Sequence, residues 1–182
     1  MAQIGAVRTL GWLASVAAAG LLCTIVWANG PASAQGASSG SVLARALAVE
    51  AASAAVQACE ANGYRVTATV VDAAGDIRAL IRGDGSTPHT KETAYRKAYT
   101  QITLGPIFTF DALGTFVEKM KGNPVQSSFL TVPNIILLPG AVAVKAKGET
   151  IAAIGVGGAP GGDKDEACAA AGLARIADRL PK

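Results

Sequence analysis

His89 is the only histidine of the 182-residue chain, and its position suits metal-ligand chemistry. It follows Thr87 and Pro88, a pair typical of the N-cap and first-turn proline of a helix. The positive end of a helix disfavours imidazolium, so we expect the ring to stay neutral, which is the form that ligates metals. The alternative is a surface histidine without a partner, and the sequence leaves both interpretations open.

Ionisable and polar side chains follow His89 along the same predicted helix. Arg96 or Lys97 would suit a ligand carboxylate, since fixed cations form strong hydrogen bonds to such groups. The alternative is a surface pair between Glu92 and Arg96, which would carry little energetic weight. The side chains that share a face with His89, or lie toward the edge of that face, are Glu92, Thr93, Arg96, Lys97 and Tyr99.

The stretch GAPGGDKDEACAAAGLARI, which starts at Gly158, places glycines and acids before an alanine-rich segment. A phosphate-binding loop also places glycines before a helix, but its motif requires Gly-Lys followed by Ser or Thr. Here Asp163 lies between Gly162 and Lys164, and no Ser or Thr follows the lysine. Asp163 and Glu166 instead predict a capping box, whose carboxylates would repel phosphate. We therefore expect a turn that joins the last strand to the last helix.

Residues 1–34 have the pattern of a secretory signal peptide: Arg8, a long apolar run and an Ala-Ser-Ala cleavage site. The apolar run is close to the length of a membrane span, so an uncleaved N-terminal anchor is the alternative. Cleavage predicts a periplasmic or secreted protein that has no further membrane association. It would leave a short flexible leader over residues 35–40 and a single domain over residues 41–182.

Composition and motifs exclude several classes of function. Without Arg8 the chain has 15 Lys and Arg against 13 Asp and Glu, a balance too even for a nucleic-acid partner. The one Gly-x-Ser-x-Gly match, residues 36–40, lies in the predicted leader and follows no predicted strand, so a serine hydrolase built around the lone histidine finds little support.

Cys59 and Cys168 are the two cysteines left after removal of the leader. An even pair in an oxidising compartment favours a disulfide, and neither cysteine has the neighbouring Cys or His that a zinc site needs. Two buried cysteines that never meet are the alternative. We predict that the first and last helices lie together on one side of the sheet, with the two Cα atoms within about 7 Å.

Hydrophobic periodicity and turn residues predict an α+β fold with antiparallel strands. The predicted order is α-β-β-α-α-β-β-β-α, which gives five strands flanked by helices. The predicted helices cover residues 42–62, 88–104, 111–121 and 163–180, and the predicted strands cover 64–72, 77–82, 135–138, 142–147 and 150–156.

Three segments resemble the haem-binding GlcG/HbpS-like family: VVDAAGDIRALIRGDG from Val70, YRKAYT from Tyr95 and IGVGGAPGGDKDEACAAAGLARI from Ile154. The resemblance extends over residues 43–180. It implies a five-stranded antiparallel sheet flanked by helices, as in profilin/PAS-like sandwiches, and assembly into dimers or larger homo-oligomers. It also implies binding or breakdown of haem, as in some members.

With this resemblance, His89 becomes the candidate axial ligand of a haem iron. Arg96, Lys97 and Tyr99 become candidate haem-binding residues, with Arg96 or Lys97 on a propionate. No Cys-x-x-Cys-His motif occurs, so haem would be held noncovalently. Nearby aromatic residues either line a porphyrin slot or pack in the core, and we favour the core: Tyr95, Tyr99, Phe108, Phe110 and Phe116.

The sequence thus predicts an exported haem-binding or haem-handling protein. An enzyme or accessory protein that acts on a small organic acid is the alternative, with Arg82, Arg96 and Lys97 as anion-holding residues. A purely structural oligomer is a third hypothesis. Whether the protein is an enzyme stays open at this stage, as do its physiological ligand and its number of subunits.

Overall fold

The computed structural model describes residues 42–181, so the predicted signal peptide and leader lie outside the described residues. The described residues form a single α+β sandwich of four strands and five helices, closed by a short 3-10 turn at Ala177–Arg179. In chain order the elements are α1 (Arg45–Glu60), β1 (Thr67–Asp72), β2 (Ile77–Arg82), α2 (Thr90–Phe108), α3 (Leu113–Met120), α4 (Gln126–Phe129), β3 (Ala141–Ala146), β4 (Glu149–Gly157) and α5 (Gly162–Ile176).

The four strands form one antiparallel sheet in the order β2-β1-β4-β3. Thr67 of β1 lies opposite Arg82 of β2 on one side and opposite Gly157 of β4 on the other. The β1–β2 connection is tight because the carboxylate of Asp72 accepts backbone N–H groups of Ala74 and Asp76. The two hairpins therefore meet along the central pair β1 and β4.

Helices cover both faces of the sheet. Helices α1 and α5 pack side by side on one face, where alanines of α1 and Ile154 of β4 belong to the main buried cluster. On the other face Val71 of β1 and Ala153 of β4 pack against Ala98 and Ile102 of α2. Alternate residues of a strand point to opposite faces, so the central strands β1 and β4 contribute to both layers.

Gly155 of β4 brings α2 onto the sheet. A Cβ atom at this position would lie 2.3 Å from the carbonyl oxygen of Ala94 and 2.5 Å from the backbone nitrogen of Ala98. Both contacts are with helix backbone, which cannot move aside without displacing the helix. The glycine therefore sets how closely the start of α2 approaches β4.

The prediction of five strands is wrong, because residues 135–138 do not join the four-stranded sheet. Their backbone groups bond to side chains of α2 instead. Arg96 donates from Nη2 to the carbonyl oxygen of Ile135 over 2.6 Å, and the backbone N–H of Ile136 donates to the Thr100 hydroxyl over 2.9 Å. Ile135 and Leu137 are buried, which explains why their alternation resembles a strand.

Helix boundaries also differ from the predicted ones. Helix α2 continues through Gly105 and Pro106 to Phe108 and ends at Thr109, which has a left-handed φ of 53°. A proline this close to the helix end removes only one hydrogen bond of the last turn, so the helix is not broken. The short helix α4 is absent from the sequence-based prediction. Helices α1 and α3 lie within their predicted ranges, and α5 begins one residue before its range and ends at Ile176.

The disulfide between Cys59 and Cys168 is confirmed, with a Cα–Cα distance of 5.5 Å. It joins the end of α1 to the middle of α5 on the same face of the sheet, as predicted. Among residues 42–181, no helix is both long enough and apolar enough to cross a membrane.

Candidate functional site

The start of α2 is fixed to the sheet by buried hydroxyl groups. Thr90 and Thr67 of β1 share a hydrogen bond of 2.8 Å between their hydroxyls. Helix α2 begins at Thr90, so the N-cap is His89, and the prediction of Thr87 as the N-cap is wrong by two residues. Thr93 donates from its hydroxyl to the His89 carbonyl oxygen over 2.8 Å, and the His89 side chain is left exposed.

The glycine-rich segment after β4 is the expected turn into α5. Gly158 and Gly161 have φ angles of 130° and 140°, which other residues rarely adopt, and the chain reverses between them. The predicted capping box is wrong, because α5 begins at Gly162 without a side-chain cap. Glu166 accepts the backbone N–H groups of Gly114 and Gly140 instead, which ties α5 to α3 and to the start of β3.

Lys97 and Asp165 form a buried ion pair between α2 and the first turn of α5. Nζ of Lys97 lies 2.6 Å from Oδ2 of Asp165, and each side chain is only 4% exposed. The other carboxylate oxygen accepts the backbone N–H of Ala159 over 2.9 Å. Burial raises the pKa of Asp165, and the opposing effect of the nearby ammonium does not fully compensate for it.

The ion pair forms one wall of a cavity of about 220 Å³, with His89 at another wall. The cavity therefore combines an ammonium, a carboxylate and an imidazole with the apolar side chain of Leu138, which is exposed. Its lining residues are His89, Thr93, Lys97, Leu138, Gly158, Ala159, Gly162 and Asp165. Such a cavity suits a small polar group, and pockets that enclose a drug-sized ligand are larger, at about 300–1,000 Å³.

Arg96 does not line this cavity. Its Nη2 donates to the Ile135 carbonyl oxygen, and its Nε is buried without a partner among the described residues. The guanidinium therefore holds residues 135–138 against α2. The last residue of this segment, Leu138, lines the cavity. The structure thus gives Arg96 a role in positioning this segment.

Tyr99 lies on a different side of α2 from the cavity. Two residues after Lys97, it is rotated by about 200° around the helix. Its ring packs against Gly75 in the β1–β2 turn and lies 5.7 Å from the ring of Tyr95. Burial, with a smaller effect of the neighbouring Tyr99, raises the pKa of Tyr95.

Three phenylalanines considered for a porphyrin slot belong to a buried cluster instead, as favoured above. Phe110 and Phe116 stack with ring centroids 4.6 Å apart, and Phe108 and Phe129 contact Phe116 from other directions. Phe116 is fully buried together with Leu113 of α3. This cluster supports α3, and among residues 42–181 no aromatic side chain lines the cavity beside His89.

The three cations considered for an organic acid do not converge. Arg82 bonds from Nε to the Ser86 hydroxyl over 3.1 Å and from Nη2 to the Ser86 carbonyl oxygen. Arg96 bonds to Ile135, and Lys97 alone lines the cavity. Of the four residues predicted to bind haem, the structure therefore brings only His89 and Lys97 together at this cavity.

Asp165, Thr93 and Leu138 supply further side chains to the cavity wall. Thr93 and Lys97 follow His89 at four-residue intervals, so helical spacing identifies one wall. Asp165 lies 68 residues after Lys97, and no local pattern links the two. Within residues 42–181, no group of three or more His, Cys, Asp and Glu side chains could hold a metal ion. A single imidazole suffices for haem, because the porphyrin supplies the remaining nitrogen ligands.

Comparison with known proteins then identifies the family. The model of a family described as "Haem degrading protein HbpS-like" matches residues 43–174. The chain belongs to the HbpS-like family.

Two HbpS crystal structures support the assignment. A double mutant of the Streptomyces reticuli protein is 35% identical, with a TM-score of 0.67 over 81% of this chain and 97% of that chain. A second HbpS structure is 36% identical, with a TM-score of 0.67 over 78% and 96% of the two chains.

More distant structures share the fold of this HbpS-like chain. The PduOC:heme complex is 21% identical, with a TM-score of 0.65 over 75% of this chain and 96% of that chain. The Klebsiella pneumoniae protein ORFY is also 21% identical, with a TM-score of 0.68 over 80% and 98% of the two chains. No curated protein matches the chain.

Proposed function

We propose that this HbpS-like protein is an exported haem-binding or haem-handling protein that holds haem noncovalently, with His89 as axial ligand. The observation that carries the proposal is the exposed imidazole of His89 at a cavity that also contains Lys97. The description of the family as haem degrading and the haem complex of the distant relative PduOC support the choice of ligand.

The residues present fit one edge of a haem and do not enclose it. A cavity of about 220 Å³ is too small for a whole porphyrin. Because His89 is exposed, a ligand can reach its ring from solvent without opening the fold. When bound, haem supplies an iron centre that can be stored, passed on or used in oxidation chemistry. The chain itself supplies an imidazole ligand, a buried cation and the exposed apolar surface of Leu138.

Export and self-association are part of the same proposal. The signal-like residues 1–34 and the disulfide between Cys59 and Cys168 support an oxidising compartment, either periplasmic or extracellular. The family resemblance implies a homo-oligomer, in which a second copy of the chain would cover the haem surface that one protomer leaves open. Cell fractionation and light scattering of the mature protein test these two points.

Haemin titration tests the ligand and the role of His89. We expect a shifted Soret band with the mature protein and at least tenfold weaker binding with His89→Ala. Lys91→Ala, an exposed change on the same helix, is the matched control and should bind as the wild type does. An unshifted band with wild-type protein contradicts the haem proposal. A shift that survives His89→Ala contradicts only the ligand assignment.

A small organic acid remains the second candidate ligand, because Lys97 lies in a cavity sized for one. In that case the protein would be an enzyme or an accessory protein, with Lys97 as the anion-binding residue. Thermal-shift measurements with small organic acids distinguish this candidate, because binding to the native state raises the apparent stability.

A further inference from the structure

The disulfide between α1 and α5 borders a second cavity on one side only. This cavity has a volume of about 310 Å³, and Cys168 is one of the residues that line it. Cys59 does not line it, and its exposed fraction is 0%, against 4% for Cys168. A molecule that enters from solvent therefore meets the disulfide from the side of Cys168.

Small side chains leave room beside Cys168. Ala167 and Ala171 of α5 line the cavity at helical spacing, and Ala58 lines it from the end of α1. Asn62, which also lines the cavity, donates from Nδ2 to the Ala58 carbonyl oxygen over 2.8 Å, so its side chain is held against the end of α1. A molecule of a few atoms can therefore lie in the cavity without displacing either helix.

A cation lies at the same cavity. Lys164 and Tyr64 both line it, and Nζ of Lys164 lies 5.5 Å from the centre of the Tyr64 ring, which is a cation–π contact. Among residues 42–181, Lys164 is the only lining residue with a charged side chain. A nearby cation favours a thiolate over a thiol, and the thiolate is the form that attacks disulfides.

We infer that Cys168 is a site of reversible S-thiolation by a small anionic thiol. The thiolate sulfur forms a bond to Sγ of Cys168, and the bond from that Sγ to Sγ of Cys59 breaks. The electron pair of the broken bond leaves on Sγ of Cys59, which takes up a proton, so no further oxidant or reductant is needed. Burial disfavours the thiolate of Cys59 and makes the exchange slow. The inference goes beyond haem binding and does not depend on it.

Peptide mapping by mass spectrometry tests which sulfur reacts. Mature wild-type protein is incubated with 2-mercaptoethanesulfonate and quenched at intervals with N-ethylmaleimide, which alkylates the released cysteine. We expect the thiol on Cys168 and the maleimide on Cys59 at least tenfold more often than the reverse. In urea, where both sulfurs are exposed, both adducts should form. Similar amounts of both adducts on the native protein, or no adduct under conditions that modify the protein in urea, would overturn the inference.

Two exposed alanines of α5 provide a matched pair of variants. Ala167→Leu adds a larger side chain to the cavity wall, so we expect the native protein to form the Cys168 adduct at least tenfold more slowly. Ala170→Leu makes the same change outside the lining and should react as the wild type does. Equal rates for the two variants would show that the thiol does not enter through this cavity.

Thiols of similar size test the role of Lys164. 2-Mercaptoethanesulfonate is anionic and cysteamine is cationic, and dividing each rate by that of the same thiol with the unfolded protein removes their difference in intrinsic reactivity. We expect the native protein to favour the anionic thiol at least threefold, and Lys164→Met to lose this preference. A preference that survives Lys164→Met, or its absence in the wild type, would contradict the choice of an anionic thiol.

Discussion

The carboxyl of Asp165 links the candidate site to the pH dependence of stability. Burial raises its pKa, so the native state binds this proton more tightly than the unfolded chain does. In the pH window from the ordinary carboxyl value near about 4 up to the raised value, the native protein holds more protons. The free energy of unfolding contributed by Asp165 therefore falls as the pH rises through this window.

Urea denaturation at a series of pH values measures this contribution. The difference in free energy of unfolding between the wild type and Asp165→Asn should decrease as the pH rises from about 4. Asp163→Asn, an exposed change in the same helical turn, is the control and should give a difference that changes little. A difference for Asp165→Asn that stays constant with pH would contradict the raised pKa.

The buried ion pair itself makes a second prediction about single residues. Lys97→Met leaves an isolated buried carboxylate, which costs about 3–5 kcal/mol of stability. The double variant Lys97→Met with Asp165→Asn should recover most of this loss, because no unpaired charge stays buried. Chemical denaturation of the single, double and Lys91→Met variants checks the prediction. A single variant as stable as Lys91→Met would show that the pair is not buried as described.

Residue types and spacing predicted part of this site. The Thr87-Pro88 pair predicted a helix start two residues before the observed one, and helical spacing placed Lys97 toward the edge of the face that carries His89. Arg96 also matched the spacing, but its length lets it reach the Ile135 carbonyl oxygen. Asp165 could not be predicted as the partner of Lys97, because only the packing of α5 against α2 brings the two together.

Among the elements, residues 135–138 show how side chains can replace a strand partner. The Ile136 amide donates to the Thr100 hydroxyl, and the Ile135 carbonyl oxygen accepts from Arg96. Hydrophobic alternation reports burial on one side and carries no information about which groups satisfy the backbone. The sequence therefore predicted a fifth strand where the chain instead docks on a helix.

Thr100→Val tests this docking with almost no change in shape. The variant removes the acceptor of the Ile136 amide, so we expect a loss of about 1–2 kcal/mol and faster hydrogen exchange at Ile136. Thr103→Val is the matched control, since the Thr103 hydroxyl bonds only to carbonyl oxygens of its own helix. Unchanged exchange at Ile136 in Thr100→Val would contradict the described contact.

For the molecule as a whole, the disulfide is the covalent link between the first and last helices. It joins residues 109 positions apart, and both cysteines are buried between α1 and α5. A loop of this length gives a stabilisation of about 2–5 kcal/mol in the chain-entropy description. The Cys59→Ala, Cys168→Ala double variant should lose about this much in urea denaturation. If the oxidised wild type and the double variant have equal free energies of unfolding, the disulfide does not stabilise the fold as described.

The pairing of the first and last helices could be predicted from the sequence, and the number of strands could not. An even pair of cysteines in a chain with a signal-like N-terminus led to the correct placement of both helices on one face. The four strands of the sheet match predicted segments. The fifth segment depends on long-range contacts with α2, which no local signal records.

The claim that His89 ligates haem iron has one direct test, because the chain contains a single histidine. Protein grown with ¹⁵N-histidine and purified without a histidine tag carries the label at that residue alone. Electron-nuclear double resonance of the ferric haem complex then reports whether the labelled ring is bound to iron. We predict a ¹⁵N hyperfine coupling from one axial protein nitrogen. A complex that retains haem without this coupling would contradict the claim.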